Sequence, residues 1–367
     1  MLAGGTLGYY RNILATNPRP IHRVEVWRSG LRIDTYGDEG VPILAGNVSA
    51  TLNSRVTRQA NLQVPESLFP ADEAGLLAPY GNELRIWAGV DGVGGQDPFW
   101  QIFRGKIQST SWTDSVTIRA SDRAEEIMSD IFLAPINSNV GTTINEQFVD
   151  LISNSLSDAT FGTSDSFHNL VPKLTWESSR ASALDELCNG SRAFWYTLAN
   201  GDFVMRRVPW SVPSVPVMTL SDGEDGTITS ATIELSREDV SNVVNVVGER
   251  SDGTPPAFAL VADNDPSSPT WVDGGFGRKG LLVKAQTVTT PGQAAEVAED
   301  SLLRHRTLTQ SWTTTQIFDP ALELGDAVLL QAKGRESIQV AASFSLPLNG
   351  SAEMTVSWRA QTPGSED

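Results

Sequence analysis

The sequence is poorest in the residues that most often do chemistry. One cysteine, Cys188, stands among 367 residues, which excludes an internal disulfide framework and a cysteine-rich metal centre. Stability has to come from packing. Three histidines, His22, His168 and His305, leave little material for a catalytic triad or an imidazole-bound metal. Positive charge is scarce too: 27 Lys and Arg against 44 Asp and Glu give a formal net charge of -17. Such a surface repels phosphate and disfavours tight binding to a nucleic-acid backbone. No apolar run approaches the roughly 18 residues a membrane span requires, so no membrane segment is expected. The opening MLAGGTLGYYRNILATNPRP has neither a basic n-region nor a long apolar core, which argues against a cleaved signal peptide and for an origin in a cytoplasm.

What is present is strand pattern at both ends and helix pattern between them, in a chain whose length suggests two or three domains. From Ile21, IHRVEVWRSGLRIDTYG has two alternating runs about Arg28-Ser29-Gly30, the mark of a hairpin. In GNVSATLNSRVTRQANLQVP, Val56, Ala60, Leu62 and Val64 occupy every second position. Arg58 interrupts that row, so this face is expected to be incompletely buried there. NELRIWAGV, FWQIFRGKIQSTSW and SVTIRAS continue the period of two to about Ser121, the spacing of a sandwich or barrel. GVDGVGGQ from Gly89 has glycines without a following helix and reads as a turn, not a phosphate loop.

Residues 122–217 read as a small α+β insert. DRAEEIMSDIF has helical composition, and Thr143 to Glu146 has capping-box spacing ahead of a stripe of Ile144, Phe148, Leu151, Ile152 and Leu156. SSRASALDELCNG predicts a helix that stops at Gly190. FWYTLANGDFVMRR predicts a hairpin about Asn200-Gly201, and PWSVPSVPV an extended linker. The remainder, 218–367, is β again. Residues 250–280 are rich in Gly, Pro and Asp and predict an irregular surface excursion. TTPGQAAEVAEDSLLRHRTLT predicts a helix capped by Thr290, with Pro291 first and Gln293 closing the capping box. Four strands follow, the last pair turning at Asn349-Gly350. Within EDVSNVVNVVGE, Asn242 and Asn245 are an odd number of positions apart and point to opposite faces of a regular strand. Either the inward one bonds to a loop or a strand edge, or one is exposed and the other lies at a bulge.

The candidates for chemistry are thin. His22 falls at a strand start and His305 in the last turn of a helix, where a cation suits the dipole; neither they nor His168 lie in a catalytic signature. Cys188 sits on an apolar stripe and reads as core. Asp263 and Asp265 are spaced as calcium ligands can be, without the glycine and glutamate of a complete loop. Asp222, Glu224 and Asp225 form a second acidic group, again incomplete. Trp87, Trp100, Trp112, Trp195, Trp210 and Trp271 beside many carboxylates make a carbohydrate-binding or glycan-degrading protein the alternative reading. No catalytic, cofactor-binding or metal residue is assigned, and an enzyme is not expected.

The order of segments carries a resemblance. VTRQANLQVPESLFP, YGNELRIWAGV and FWQIFRGKIQSTSW with Phe103 and Gly105, then SALDELCNGSRAFWYTLANGDFVM, then SNVVNVVGE, PGQAAEVAEDSLLRHR and PALELGDAVLL, resemble the succession found in phage tail hub proteins. These are siphophage minor tail proteins similar to the trimeric baseplate hub of contractile tails. The resemblance implies a mainly β fold: an N-terminal segment over 1–20, tail-tube-like β-barrel domains over 21–121 and 218–367, and the small insert domain at 122–217. It implies a structural virion protein made in the host cytoplasm and placed at the tail tip, where a homotrimer adapts a sixfold tube to a threefold tip. The distal tail protein, the tape measure protein and tip or fibre proteins are the implied partners. Genomic DNA is expected to pass through without being tightly bound, along a bore that carries part of the negative charge.

Overall fold

The structure is a computed structural model that describes residues 19–52, 54–91, 99–191, 193–207, 216–224, 226–238, 240–248, 256–285, 288–306, 309–350 and 353–360. The first β region comprises β1 (Pro20–Arg28), β2 (Leu31–Arg32), β3 (Ala45–Thr51), β4 (Arg58–Val64), β5 (Glu83–Val90), β6 (Phe99–Trp112) and β7 (Val116–Asp122). Alternation drives their burial: Leu84, Ile86 and Ala88 of β5 and Val116, Ile118 and Ala120 of β7 all point into one core. The expected hairpin forms β1 and β2, with Ser29 and Gly30 both at positive φ, as a two-residue turn of that hand requires.

The insert follows as α1 (Ala124–Ser129), β8 (Ile136–Asn137), α2 (Ile144–Ser153), β9 (Thr175–Trp176), α3 (Arg180–Gly190), β10 (Ala193–Thr197) and β11 (Phe203–Arg207). It has its own core, in which Phe148, Leu151 and Ile152 of α2 meet Leu184 and Leu187 of α3 and the hairpin residues Trp195, Phe203 and Met205. The capping box at Thr143 and Glu146 is present. Helix α3 runs through Gly190, with Ser191 as its C-cap, so the glycine lies inside the last turn and is not the stop expected of it. Its hairpin turns at Asn200 and Gly201, the latter at φ 86°.

The second β region holds β12 (Met218–Ser221), β13 (Ile228–Ser236), β14 (Val243–Val247), β15 (Phe258–Ala262), β16 (Gly280–Lys284), α4 (Pro291–His305), β17 (Thr309–Ile317), β18 (Ala327–Ala332), β19 (Arg335–Pro347) and β20 (Glu353–Ala360). Strands from both ends of the chain share one 13-stranded sheet. Its continuity comes from β3 pairing antiparallel with β19, and one apolar core runs beneath both regions, from Val24 and Leu84 to Trp312 and Trp358. Each large side chain taken out of water here stabilises the fold by roughly 1.5–3 kcal/mol.

Two further expectations are corrected. The stretch 250–280 is not wholly irregular: it supplies β15, which pairs with β14, while β16 flanks β14 on the other side. With α4 across one face these strands form a third lobe having its own core of Val244, Val246, Val288, Val297 and Ala298. Burial of that face pulls an otherwise turn-rich stretch into a sheet. Arg58, expected to mark a gap in burial, is only 2% exposed, because its guanidinium has partners inside. The linker PWSVPSVPV lies almost wholly outside the described residues, as does nearly all of the 1–20 segment.

Candidate functional site

The two β regions are built on one plan. In the sheet, β1-β5-β6-β7-β4-β3 and β12-β18-β19-β20-β17-β13 are neighbours in the same order, and the chain visits the two sets in the same order as well. The third lobe is inserted between β13 and β17, where the first region has only the β3–β4 connection. The sense of the first strand differs as well, since β1 is antiparallel to β5 whereas β12 is parallel to β18, and among the described residues β2 has no counterpart beside β12.

The likeness extends to single residues. Each region has one long strand, β6 or β19, that gains an extra residue midway, between Ile107 and Ser109 or between Ala341 and Ser343. Such a bulge bends a strand and increases its twist. Just before it, Ile107 N donates to Asn82 O at 3.0 Å and Ala341 N donates to Asp326 O at 3.0 Å. Both acceptors follow a glycine at positive φ, Gly81 at 89° and Gly325 at 86°. Asn82 donates its amide to the carbonyls of Gly75 and Ala78, at 2.9 and 3.0 Å. Asp326 instead accepts from Glu323 N at 3.0 Å. Burial pushes the Asp326 carboxyl up to about 6, with Glu323 and Asp319 adding to the rise.

Between the two units, β3 continues the edge of β19 beyond the point where β18 ends. β18 faces β19 as far as Val340, and β3 takes over from Ser343 to Pro347. Leu346 opposite Val48 and Phe344 opposite Ala50 bury the join. A polar knot reinforces it where the units meet the insert. Arg58 Nη1 donates to Thr197 O at 3.1 Å, and its Nη2 pairs with Glu323. Asp122 accepts from Thr57 Oγ1 at 2.8 Å and from the backbone N–H groups of Arg58 and Ala124 at 2.7 and 3.0 Å. Burial nonetheless raises its carboxyl above the ordinary value. Arg123, also buried, donates Nη2 to Asp158 Oδ1 at 2.7 Å and holds the insert against β7. These groups tie three parts of one chain together; sequence alone showed Arg58 as a break in a pattern.

The residues weighed for chemistry do not converge. His22 lies on β1, its imidazole lowered by burial, while His168 is exposed in the insert and His305 ends α4. Cys188 is core, its thiol raised well above the usual range by burial and by Asp185. Asp263 is buried and organises its own loop, accepting from Thr270 Oγ1 at 2.6 Å and from Ser268 Oγ. Burial alone would raise it; those donors and Arg306 outweigh burial and hold it low. Asp265 serves Ser267, Asp222 accepts from Lys333 N at 2.8 Å, and Asp225 lies outside the described residues. Among the described residues no three His, Cys, Asp or Glu side chains gather as metal ligands do. Trp195 is buried and donates to Asp185 at 2.9 Å; Trp87, Trp100 and Trp271 are half-buried, Trp112 is exposed, and Trp210 is outside the described residues. An open cleft of about 260 Å³ beside α3 is lined by Arg55, Asp185, Glu186 and Lys284. Its two carboxylates are consecutive on one helix and accept from buried indoles, so they do not face each other across a sugar.

The asparagines divide as one of the two readings expected. Asn242 is 0% exposed and fully used: Nδ2 donates to Thr270 O at 2.8 Å and Gly277 O at 2.7 Å, and Oδ1 accepts from Lys279 N at 2.8 Å. It stitches the 263–279 loop to the start of β14. Asn245 lies on the opposite face of the lobe, between Leu260 and Leu282.

No family model matches the sequence, and no curated protein matches it. Solved structures do. A tail protein from Neisseria meningitidis MC58 superposes with a TM-score of 0.65 at 13% identity, covering 92% of this chain and 96% of that one. The 43 kDa tail protein of prophage MuSo2 from Shewanella oneidensis gives 0.61 at 13%, covering 94% and 99%. The prophage tail protein gp18 from Listeria monocytogenes EGD-e gives 0.51 at 12%, covering 91% and 94%. The chain therefore has the fold of phage tail proteins over nearly its whole length, as the order of its segments indicated.

Proposed function

We propose that this chain is a non-enzymatic structural component of a phage-type tail, the hub at the tail tip. The observation that carries the proposal is the duplication: one polypeptide holds two units of the same strand order, joined edge to edge. Three such chains supply six equivalent units, and a ring of six made from three chains is the simplest object that joins a sixfold tube to a threefold tip. The fold shared with phage tail proteins supports this reading. So do the structural bonds of Asp222, Asp263, Asp265 and Trp195. Distal tail, tape measure and tip or fibre proteins are the partners that position requires.

Genomic DNA passes through the ring, and negative charge on the bore keeps the DNA from adhering; the net charge of -17 motivates this. Mass photometry of the purified chain with low-resolution imaging tests the assembly. A threefold ring of three chains is the expected result, and a stable particle of another symmetry rejects the hub. A glycan array and a cell-wall degradation assay address the carbohydrate alternative, which binding or turnover would promote.

A further inference from the structure

The insert is folded around a core of its own, and the contacts that hold it on the β units are charged. Its apolar cluster and the cluster beneath the units share no residue. Between them the signs are sorted, with cations on the first unit and acceptors on the insert. Arg55 pairs with Asp185 of α3, Lys106 Nζ lies 2.5 Å from Glu126 Oε2 of α1, and Arg104 Nη2 lies 3.6 Å from Asp158 Oδ2. Arg58 donates to Thr197 O, and Arg123, at the junction itself, donates to Asp158 Oδ1.

The insert hairpin meets the same groups. Its turn rests on the stems of two arginines: a Cβ at Gly201 would stand 2.7 Å from Arg104 Cδ and 3.0 Å from Arg123 Cδ. Trp195 points into the insert core, so its neighbour Tyr196 points the other way. Tyr196 is buried yet belongs to neither apolar cluster. The charges of Arg206, Glu323, Arg58 and Asp326 act on its hydroxyl instead.

From this sorting we infer that the insert is a latched arm, held on the first unit by an ionic clasp that it leaves and retakes as a rigid body. The pivot is Asp122 to Ala124, where β7 passes into α1. Asp122 binds Thr57 and the N–H groups of Arg58 and Ala124, so the pivot stays fixed to the first unit. Arg58 keeps Glu323 of the second unit when it releases Thr197 O, and the sheet that joins the units is undisturbed. The chain thereby carries a movable part whose position responds to charge brought near it. This does not depend on the proposed ring.

Such a clasp has a response to salt that an apolar interface lacks. Salt shortens the reach of a charge, from about 10 Å at 0.1 M to about 3 Å at 1 M, and exposed pairs are screened most. Asp158, which takes two arginines, has a side chain 66% exposed. An apolar contact follows the area removed from water and is not loosened in this way.

Single-pair fluorescence energy transfer on the full chain tests the arm. Leu133→Cys on the insert and Leu31→Cys on β2 put the dyes at exposed positions, and Cys188 is buried and stays unlabelled. Labelled chains diluted in unlabelled protein report distances within one chain, whatever its assembly. Raising sodium chloride from about 0.05 M to about 1 M should reversibly increase the ratio of chains in a second transfer state to those in the first, at least about tenfold. Asp158→Asn and Lys106→Gln should each raise that ratio at least about threefold at the lower salt. The buried Trp176 and Trp195 should keep their near-ultraviolet signal throughout, since the insert core stays packed.

Three results would overturn the inference. A single transfer state that ignores salt and both variants removes the arm. A second state that salt suppresses removes the ionic clasp. A second state that appears together with loss of the tryptophan signal means that the insert unfolds where it was expected to swing.

Discussion

A buried polar side chain is worth what its partners make it worth, and two residues here show this in opposite ways. Arg58 breaks an apolar row in the sequence, yet it is buried because a carbonyl from the insert and a carboxylate from the second unit reach it. Neither partner is near it in sequence, so pattern alone reads the position as a gap. Asn242 is half legible: its odd spacing from Asn245 sends the two amides to opposite faces, but the sequence leaves open which one turns inward and whether it bonds to a loop or lies at a bulge. Removing it tests that role. Asn242→Ala strips two carbonyls and one N–H of their partners at a buried site, and an unmet buried group costs roughly 1–3 kcal/mol. The expected loss is about 2–4 kcal/mol in urea unfolding, with faster amide exchange confined to residues 263–279 and β14. An unchanged exchange pattern would show that the loop holds its shape without this amide.

At the scale of elements, local signals are decisive where a residue's near neighbours in sequence determine the outcome. The capping boxes at Thr143 and Thr290 and the Asn200-Gly201 hairpin formed where the sequence placed them. The stretch 250–280 looks irregular in the sequence because β15 exists only by virtue of β14 and α4, which cover its inner face. The repeated entries into β5 and β18 leave no sequence signal for a related reason. Gly81-Asn82 and Gly325-Asp326 share a backbone shape and a bond to the long strand, but few side chains. If the two glycines do the same job, Gly81→Ala and Gly325→Ala should each cost about 1–2 kcal/mol, the strain of holding a Cβ at positive φ. At Gly81 no atom lies within 4 Å of the added Cβ, so the whole cost is conformational there. Thermal unfolding of the two variants measures it, and a loss at one glycine only would break the equivalence.

The whole molecule was legible as strand ends around a helical middle, and as a succession of segments similar to tail hubs. The single sheet joining its ends was not, because the β3–β19 pairing spans nearly the entire chain and no periodicity reports it. That architecture places titratable groups at the joins, with consequences for stability against pH. Asp34, Asp130 and Asp263 are held below the ordinary carboxylate value, in each case because hydrogen-bond donors and nearby arginines overcome burial. Their contribution is complete above the unfolded value and is lost as pH falls through the folded ones. Asp326 acts with the opposite sign. Burial raises it from 3.8 to about 6, so folding is disfavoured by its ionisation. The penalty is absent below pH 3.8 and complete above about pH 6. Stability should therefore fall as pH rises through that window, at the loop that carries Glu323 to Arg58. Asp326→Asn keeps an oxygen for Glu323 N and removes the charge, and should flatten the decline by about 1–2 kcal/mol, allowing for solvent screening of a side chain that is buried only in part. Urea unfolding of both proteins at pH 4.5 and pH 7 measures this. A decline of equal size in the variant would assign it to other carboxylates raised by burial, Asp122 at the knot foremost among them.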